Sequence, residues 1–375
     1  TVIETLTDEQ EYKPIIHLSM KRLILFQLLL TFIFIAGFGQ RKIVNVPDIP
    51  GYVTLKCDFH LHTVFSDGSV WPVNRVTEAY RDGLDAISIT DHIEYTPNRN
   101  YIPVDHNAAW KICQGAAAER NLILVHGAEL TRSMPPGHLN ALFITDATAL
   151  VRDSVSDAIE EALKQGAFIQ WNHPGWKAQE ADGIPKLYPI HKRFLEKKWI
   201  HGIEFFNSDE YYPLVLTFCK DHNIAVMANS DKHGNISEDY REPEYPNRPM
   251  TLVFAKARTP EALKEALFAG RTLAYFRNIV AGKEEFARPF FQQCIRTAKP
   301  YYQNDRSIFF EITNSSDITF SLVNGPAEAP SSITLPANSV TRVTLARKFT
   351  GPLVYDVSNV MTGENSVLRT EITYR

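Results

Sequence analysis

The pattern of apolar and polar positions changes character near residue 300. Before that point, short and continuously apolar runs alternate with amphipathic stretches. Residues 85–90 (DAISIT), 121–127 (NLILVHG), 139–145 (LNALFIT), 167–171 (AFIQW), 202–206 (GIEFF), 224–230 (IAVMANS) and 250–255 (MTLVFA) read as strands buried on both faces. Residues 73–81, 153–165, 211–222 and 260–269 carry helical spacing. The last of these has Thr259 as N-cap, Pro260 in its first turn and Gly270 past its end. Apolar strands alternating with helices predict a parallel sheet covered by helices, and about seven such units predict closure into a (β/α) barrel. After residue 300 the period becomes two, as in SIFFEITN, SSITLPANSVTRVTLAR and GPLVYDVSN, with Asn, Gly, Ser and Pro between the runs. That pattern predicts a small all-β sandwich of about 75 residues. The fold class is therefore α/β: a barrel at residues 40–295, then a sandwich at 300–375.

The N-terminal region follows neither pattern. From Met20 it reads MKRLILFQLLLTFIFIAGFGQ: two basic residues, an apolar run, then small residues at Gly37 and Gly39. This is the three-part order of a secretory signal, with cleavage expected after Gly39; a membrane anchor is the alternative. Residues 1–19 read as an extension without a motif, so residues 1–39 are set apart as extension and leader. Export to the periplasm or the medium, without stable membrane insertion once the signal is cleaved, is the expectation.

Composition refines this picture in three ways. The 375 residues suffice for a large core, with 44% hydrophobic and 22% charged positions. A formal net charge of −4 argues against nucleic acid as partner, but leaves a small anionic substrate open. Cys57, Cys113, Cys219 and Cys294 are scattered without CxxC spacing, so buried free thiols are expected rather than zinc ligands.

The chemistry lies at the ends of the apolar runs. His60 and His62 are two residues apart and share a side of an extended chain, and Asp231 and His233 repeat that spacing after 224–230. His92 follows 85–90, Glu129 follows 121–127 and His173 follows 167–171; His138 precedes a run instead. In a barrel these strand ends converge on one mouth. Clustered imidazoles and carboxylates are costly unless a cation satisfies them, which favours a metal site over scattered structural histidines. Mixed nitrogen and oxygen donors suit Mn, Fe or Zn, and the lack of thiolate disfavours a structural zinc. Of the remaining histidines (His17, His106, His126, His191, His201, His222) only His126 is close enough in sequence to support a ligand.

The ordered set FHLHTVFSDG, ITDH, GAEL, the histidine of GHLNAL, NHPG and NSDKH resembles the PHP family, named for polymerase and histidinol phosphatase. The resemblance spans roughly residues 52–280 and is closest to stand-alone phosphodiesterases with a C-terminal β-sandwich. It implies that His60, His62, Glu129 and Asp231 hold one metal, Asp67, His92 and His233 a second, and Glu129, His138 and His173 a third. It also implies that Glu129 bridges. Asp67 stands where some relatives have histidine. Two or three divalent transition-metal ions would then make hydroxide available near neutral pH for hydrolysis of a small organic phosphodiester or monoester. Asp231 and His233 are the candidate proton-handling residues, and Arg132, Lys177 and Arg277 the candidate phosphate cations. Trp171, Trp176 and Tyr211 are candidates to flank an organic group. Amide or lactone hydrolysis, or a metal-bound scaffold with a binding sandwich, are the competing readings.

Overall fold

The computed structural model describes residues 41–240 and 247–374. The leader read at residues 20–39 lies outside them, and among the described residues no helix is long and apolar enough to cross a membrane. Strands β1 (Val53–Asp58), β2 (Ala86–Ile89) and β3 (Ile123–Leu130) pair in parallel, as their alternation with helices predicts. Strand β4 (Leu139–Leu142) runs antiparallel to both β3 and β5 (Phe168–Trp171), correcting the all-parallel expectation. The reason is local: residues 131–138 contain no helix, and a parallel return needs a crossover of a dozen residues or more. Strand β6 (Gly202–Asn207) pairs in parallel with β5 and with β8 (Ala225–Asn229), while β7 (Glu210–Tyr211) folds back on β6. Two more strands depart from the parallel order. β9 (Met250–Ala255) is antiparallel to β1, and β10 (Thr272–Phe276) is antiparallel to β9.

The barrel closes without a ladder between β8 and β9. Thr251 Oγ1 instead accepts from Ala228 N and donates to Ala228 O, both at 2.9 Å, and Thr272 Oγ1 accepts from Val226 N at 3.0 Å. Threonine hydroxyls thus satisfy backbone groups that a distorted ring leaves unpaired. Helices α1 (Pro72–Arg81), α2 (Ala108–Glu119), α3 (Val155–Lys164), α4 (Pro189–Glu196), α5 (Val215–His222) and α6 (Pro260–Phe268) each bury one face. The predicted cap of α6 is present: Thr259 Oγ1 accepts from Ala262 N at 3.2 Å.

Strand β11 (Ile279–Gly282) forms a hairpin with β10, and α7 (Glu284–Cys294) leads into the sandwich. One sandwich sheet contains β12 (Ile295–Thr297), β13 (Tyr302–Gln303), β14 (Ser307–Asn314) and β17 (Ser339–Ala346). The other contains β15 (Phe320–Val323), β16 (Ile333–Leu335), β18 (Val354–Gly363) and β19 (Ser366–Glu371). Because β18 also pairs in parallel with β11, the second sheet is continuous with the barrel's sheet. Barrel and sandwich share a core as well, in which Leu252 and Phe254 of β9 join Phe290, Phe320 and Tyr355. All four cysteines are buried and free.

Candidate metal centre

The carboxyl ends of β1, β2, β3, β5, β6 and β8 face one mouth. Reversal brings the amino end of β4 to the same edge, and with it His138, which sequence order alone left anomalous. Just past β1, the chain turns at Thr63–Gly68 and carries Asp67 back over His62. A side chain at Gly68 would meet the backbone of His62 and Thr63 at 2.7–2.8 Å, so only glycine fits there. Asp91 ties this turn to the ITDH loop, accepting from Thr63 N and Thr63 Oγ1 at 2.6 Å and from Ser66 Oγ at 2.8 Å. Two of the converging residues, His173 (φ 26°) and Asp231 (φ 49°), hold left-handed backbone, a conformation that a scaffold keeps only where neighbours enforce it. For His173 the enforcing bond is its N–H to Glu204 Oε2 at 2.7 Å.

The side chains meet closely. His60 Nε2 lies 3.3 Å from Glu129 Oε1 and 3.2 Å from Asp231 Oδ1, and His62 Nε2 lies 3.0 Å from that same Asp231 oxygen. His92 Nδ1 reaches Glu129 Oε2 at 2.7 Å, and His138 Nδ1 reaches Glu129 Oε1 at 3.2 Å. His233 Nε2 and His92 Nε2 sit 3.2 and 3.5 Å from Asp67 Oδ1. His173 Nε2 is farther out, 3.7 Å from Glu129 and 3.9 Å from Asp231. Four groupings bring ligand atoms within metal-sharing distance: His62, Asp67, His92 and His233; His60, His62 and Glu129; His60, His173 and Asp231; and His92, Glu129 and His138. All nine residues singled out as metal ligands fall in this cluster, although His173 groups with His60 and Asp231 rather than with His138.

Whether these residues suit a metal is tested by their unsatisfied atoms. His60 Nε2, His62 Nε2, Glu129 Oε2 and Asp231 Oδ1 are buried and make no well-directed hydrogen bond, though they crowd one another. Orphaned polar atoms of this kind are costly unless a cation completes them. The donor set fits, while the facing carboxylates, outweighing burial, raise His60, His92, His173 and His233, which would have to give up protons as an ion enters. Burial and the neighbouring His92 and His233 bring His62 down to about 3, so it is neutral. Against their own burial, Glu129 and Asp231 are held well below the usual carboxylate range, Asp231 chiefly by His60 and Glu129 chiefly by His92 and His60. His92, buried but flanked by Glu129 and Asp67, is pushed up to about 10. Its proton shares carboxylates that a divalent ion would otherwise neutralise, so ion uptake releases protons.

Comparison with known proteins places this geometry. A two-domain protein from Bacteroides vulgatus, described as containing a predicted PHP-like metal-dependent phosphoesterase, is 39% identical and superposes with a TM-score of 0.84. The match covers 89% of this chain and 98% of that one.

The chain belongs to the PHP-like family.

Residues 295–373 match the family model DUF5001, an Ig-like domain, so the protein is a PHP-like barrel followed by an Ig-like sandwich. The uncharacterized protein MJ1295 of Methanocaldococcus jannaschii is 26% identical over 201 residues, 51% of this chain and 86% of its own length.

Beside the PHP-like cluster lies a cavity of about 470 Å³, lined by Tyr95, Thr131, Trp176 and the run Asn207–Glu210 together with the clustered residues. Its lining holds no lysine or arginine among the described residues, and two of the expected phosphate cations lie outside it. Arg132 is engaged elsewhere, 2.7 Å from Glu94 and bonded to the carbonyls of Arg152 and Asp153 at 2.6 and 3.2 Å. Lys177 is exposed, its methylenes against Gly183. Arg277 comes nearest, pairing at 3.0 Å with the rim residue Asp209. Arg132→Ala is therefore expected to leave the Michaelis constant for an aryl phosphodiester unchanged, and a severalfold rise would return Arg132 to the substrate. Of the aromatics, Trp176 borders the cavity, Tyr211 is half-exposed on β7, and Trp171 is fully buried, stacked on His191 at 4.1 Å. His126 supports no ligand. It lies on the opposite side of β3 from Glu129 and stacks on Trp110 of α2 at 4.2 Å.

Several supporting residues escaped the sequence reading. Fully buried Glu204 accepts from His60 Nδ1 at 2.9 Å, from Asn229 Nδ2 at 2.9 Å and from Asn207 Nδ2 at 2.9 Å, leaving His60 Nε2 to face the cluster. Asn172 Nδ2 donates to Glu129 Oε1 at 2.7 Å. The signal for Glu204 was present, a charge inside the apolar run GIEFF. Arg75 had none; on an amphipathic helix it reads as a surface residue.

Proposed function

We propose that this protein is a metal-dependent phosphoesterase that hydrolyses a small organic phosphodiester or monoester, working outside the cytoplasm after removal of its leader. The observation that carries the reading is the set of buried, orphaned His60, His62, Glu129 and Asp231 atoms beside a cavity sized for a small molecule. Two or three Mn, Fe or Zn ions, held by the four groupings, would supply Lewis acidity at phosphoryl oxygens and lower the pKa of an attacking water. In this reading Asp231, which lines the cavity and is steadied at Oδ2 by Asn207 at 3.2 Å, would take up the proton of an attacking water. His233 is the most exposed of the six imidazoles, at 39%. Its Nδ1 faces the Asp231 carbonyl at 2.9 Å, which leaves Nε2, beside Asp67, as its ligand atom, so the leaving oxygen takes its proton from water at the open mouth. Trp176 and Tyr95 bound the organic group and exclude water from one side of it. The family likeness and the mixed donor set support hydrolysis over a purely structural metal, since a closed structural site needs no adjoining cavity.

The test is metal analysis of the purified protein, then assays with bis-aryl phosphate, aryl monophosphate and aryl ester before and after chelation. Phosphate-ester turnover lost on chelation and regained with Mn, Fe or Zn is the expected result. Turnover of the carboxylic ester alone would move the protein to another hydrolase class, and metal-independent turnover would overturn the proposal.

A further inference from the structure

The turn joining β10 to β11 is made by Arg277 and Asn278, both with left-handed backbone, φ 47° and 63°. It stands at the mouth because Tyr275 pairs with Met250, the first residue of β9, and the neighbouring Thr251 pairs with Cys57 near the end of β1. On the barrel side Arg277 holds Asp209, and Phe276 lies edge-on to Phe206 with ring centres 5.6 Å apart. Residues 207–210 form one wall of the cavity, and Asn207 in that wall donates to Asp231.

On its other side the turn is bound to the Ig-like domain. Thr319 N donates to Asn278 Oδ1 at 3.1 Å. Asn359 Nδ2, from β18, donates to the Asn278 carbonyl at 2.5 Å and the Thr319 carbonyl at 2.9 Å, and Asn359 Oδ1 accepts from Ser321 N at 3.1 Å. One residue further on, Val360 pairs with Val280. A half-exposed ion pair such as Arg277–Asp209 orders little by itself, because fixing two long side chains and a turn costs entropy comparable to what the pair contributes. Where the turn is already immobilised from the sandwich, that cost does not fall on the pair.

We infer that Asn359 of the Ig-like domain is a positioning residue for the cavity: it fixes the Arg277–Asn278 turn, which holds the 207–210 wall. The sandwich thus braces the mouth from outside the cavity lining.

Hydrogen exchange on the full-length protein without substrate tests this directly. In Asn359→Ala, amides of 207–211 are expected to exchange about threefold to thirtyfold faster, the range that coupled packing elements span, with β4 unchanged. Asn278→Gly, which keeps the left-handed turn but deletes the bond from Thr319, is expected to do the same to a smaller degree. If 277–280 opens in either variant while 207–211 does not, the coupling is absent and the inference falls. In the aryl phosphodiester assay Asn359→Ala is expected to raise KM by a similar factor with kcat held within about twofold, because the wall rather than the chemistry is loosened. An unchanged KM alongside an opened wall overturns the positioning role. The exchange measurement needs no turnover, so failure of the phosphoesterase reading and failure of this coupling appear in different experiments.

Discussion

Asp231→Asn is expected to lower metal-dependent phosphodiester turnover by about 10³-fold or more, on the scale of losses seen when one member of a catalytic unit is removed. The substitution is nearly isosteric and keeps an acceptor for Asn207, so the fold is expected to survive. What it removes is charge at Oδ1, the oxygen shared by His60 Nε2 at 3.2 Å and His62 Nε2 at 3.0 Å. With the single amide oxygen turned to Asn207, the NH2 stands at the Oδ1 position, where it neither ligates a divalent ion nor accepts a proton from water. Elemental analysis is expected to show fewer ions per chain while circular dichroism of the metal-free protein stays that of the parent fold. Turnover within tenfold of the parent, with metal content unchanged, would remove Asp231 from the centre.

The second large effect is expected at Arg75, which the chemistry never touches. Its side chain is fully buried beneath the cluster. Nε donates to the His62 carbonyl at 2.9 Å, Nη1 to the Gly234 carbonyl at 2.8 Å, and Nη2 to the carbonyls of Lys232 and His233 at 2.8 and 2.9 Å. Glu78 balances the charge at 2.8 Å. One guanidinium therefore joins the loop carrying His62 to the loop carrying Asp231 and His233, using the planar fork that lysine lacks. Arg75→Ala takes the guanidinium donor from the His62 and Gly234 carbonyls, and leaves Lys232 O to His62 N and His233 O to Ser69. It is expected to cost about 3–5 kcal/mol, the range for breaking a buried charged network. Arg75→Lys restores the charge without the fork. It is expected to fold and to bind metal about 10–100-fold more weakly, as loss of supporting contacts around metal ligands usually does. Urea unfolding of the metal-free protein reads the first effect and metal titration the second. A lysine variant with parental metal affinity would show that the fork is not what joins the loops.

Much of this site was legible in one dimension because its residues follow strand ends. His60, His62, His92, Glu129, His173, Asp231 and His233 each stand at or just past an apolar run, and a barrel carries such ends to one place. His138 did not fit that rule, since its position depends on the direction of β4, set by the length of a loop rather than by the strand's own residues. Arg132 and Lys177 lie outside the cavity lining for a related reason. Closeness in sequence to Glu129 and His173 says nothing about which way a loop side chain turns, and Glu94 captured Arg132.

The sequence by itself determined the two-part architecture and the roster of imidazoles and carboxylates, because hydrophobic periodicity and residue type at strand ends are local properties written along the chain. Only the tertiary structure decided that β4, β9 and β10 run against their neighbours, and that Arg75, Glu204 and Asn172 brace the cluster. It alone revealed that the Ig-like sheet is continuous with the barrel through β11 and β18. Those facts depend on hydrogen bonds between residues far apart in the chain, whose partners are chosen by the closing of the fold and leave no periodic trace in either segment.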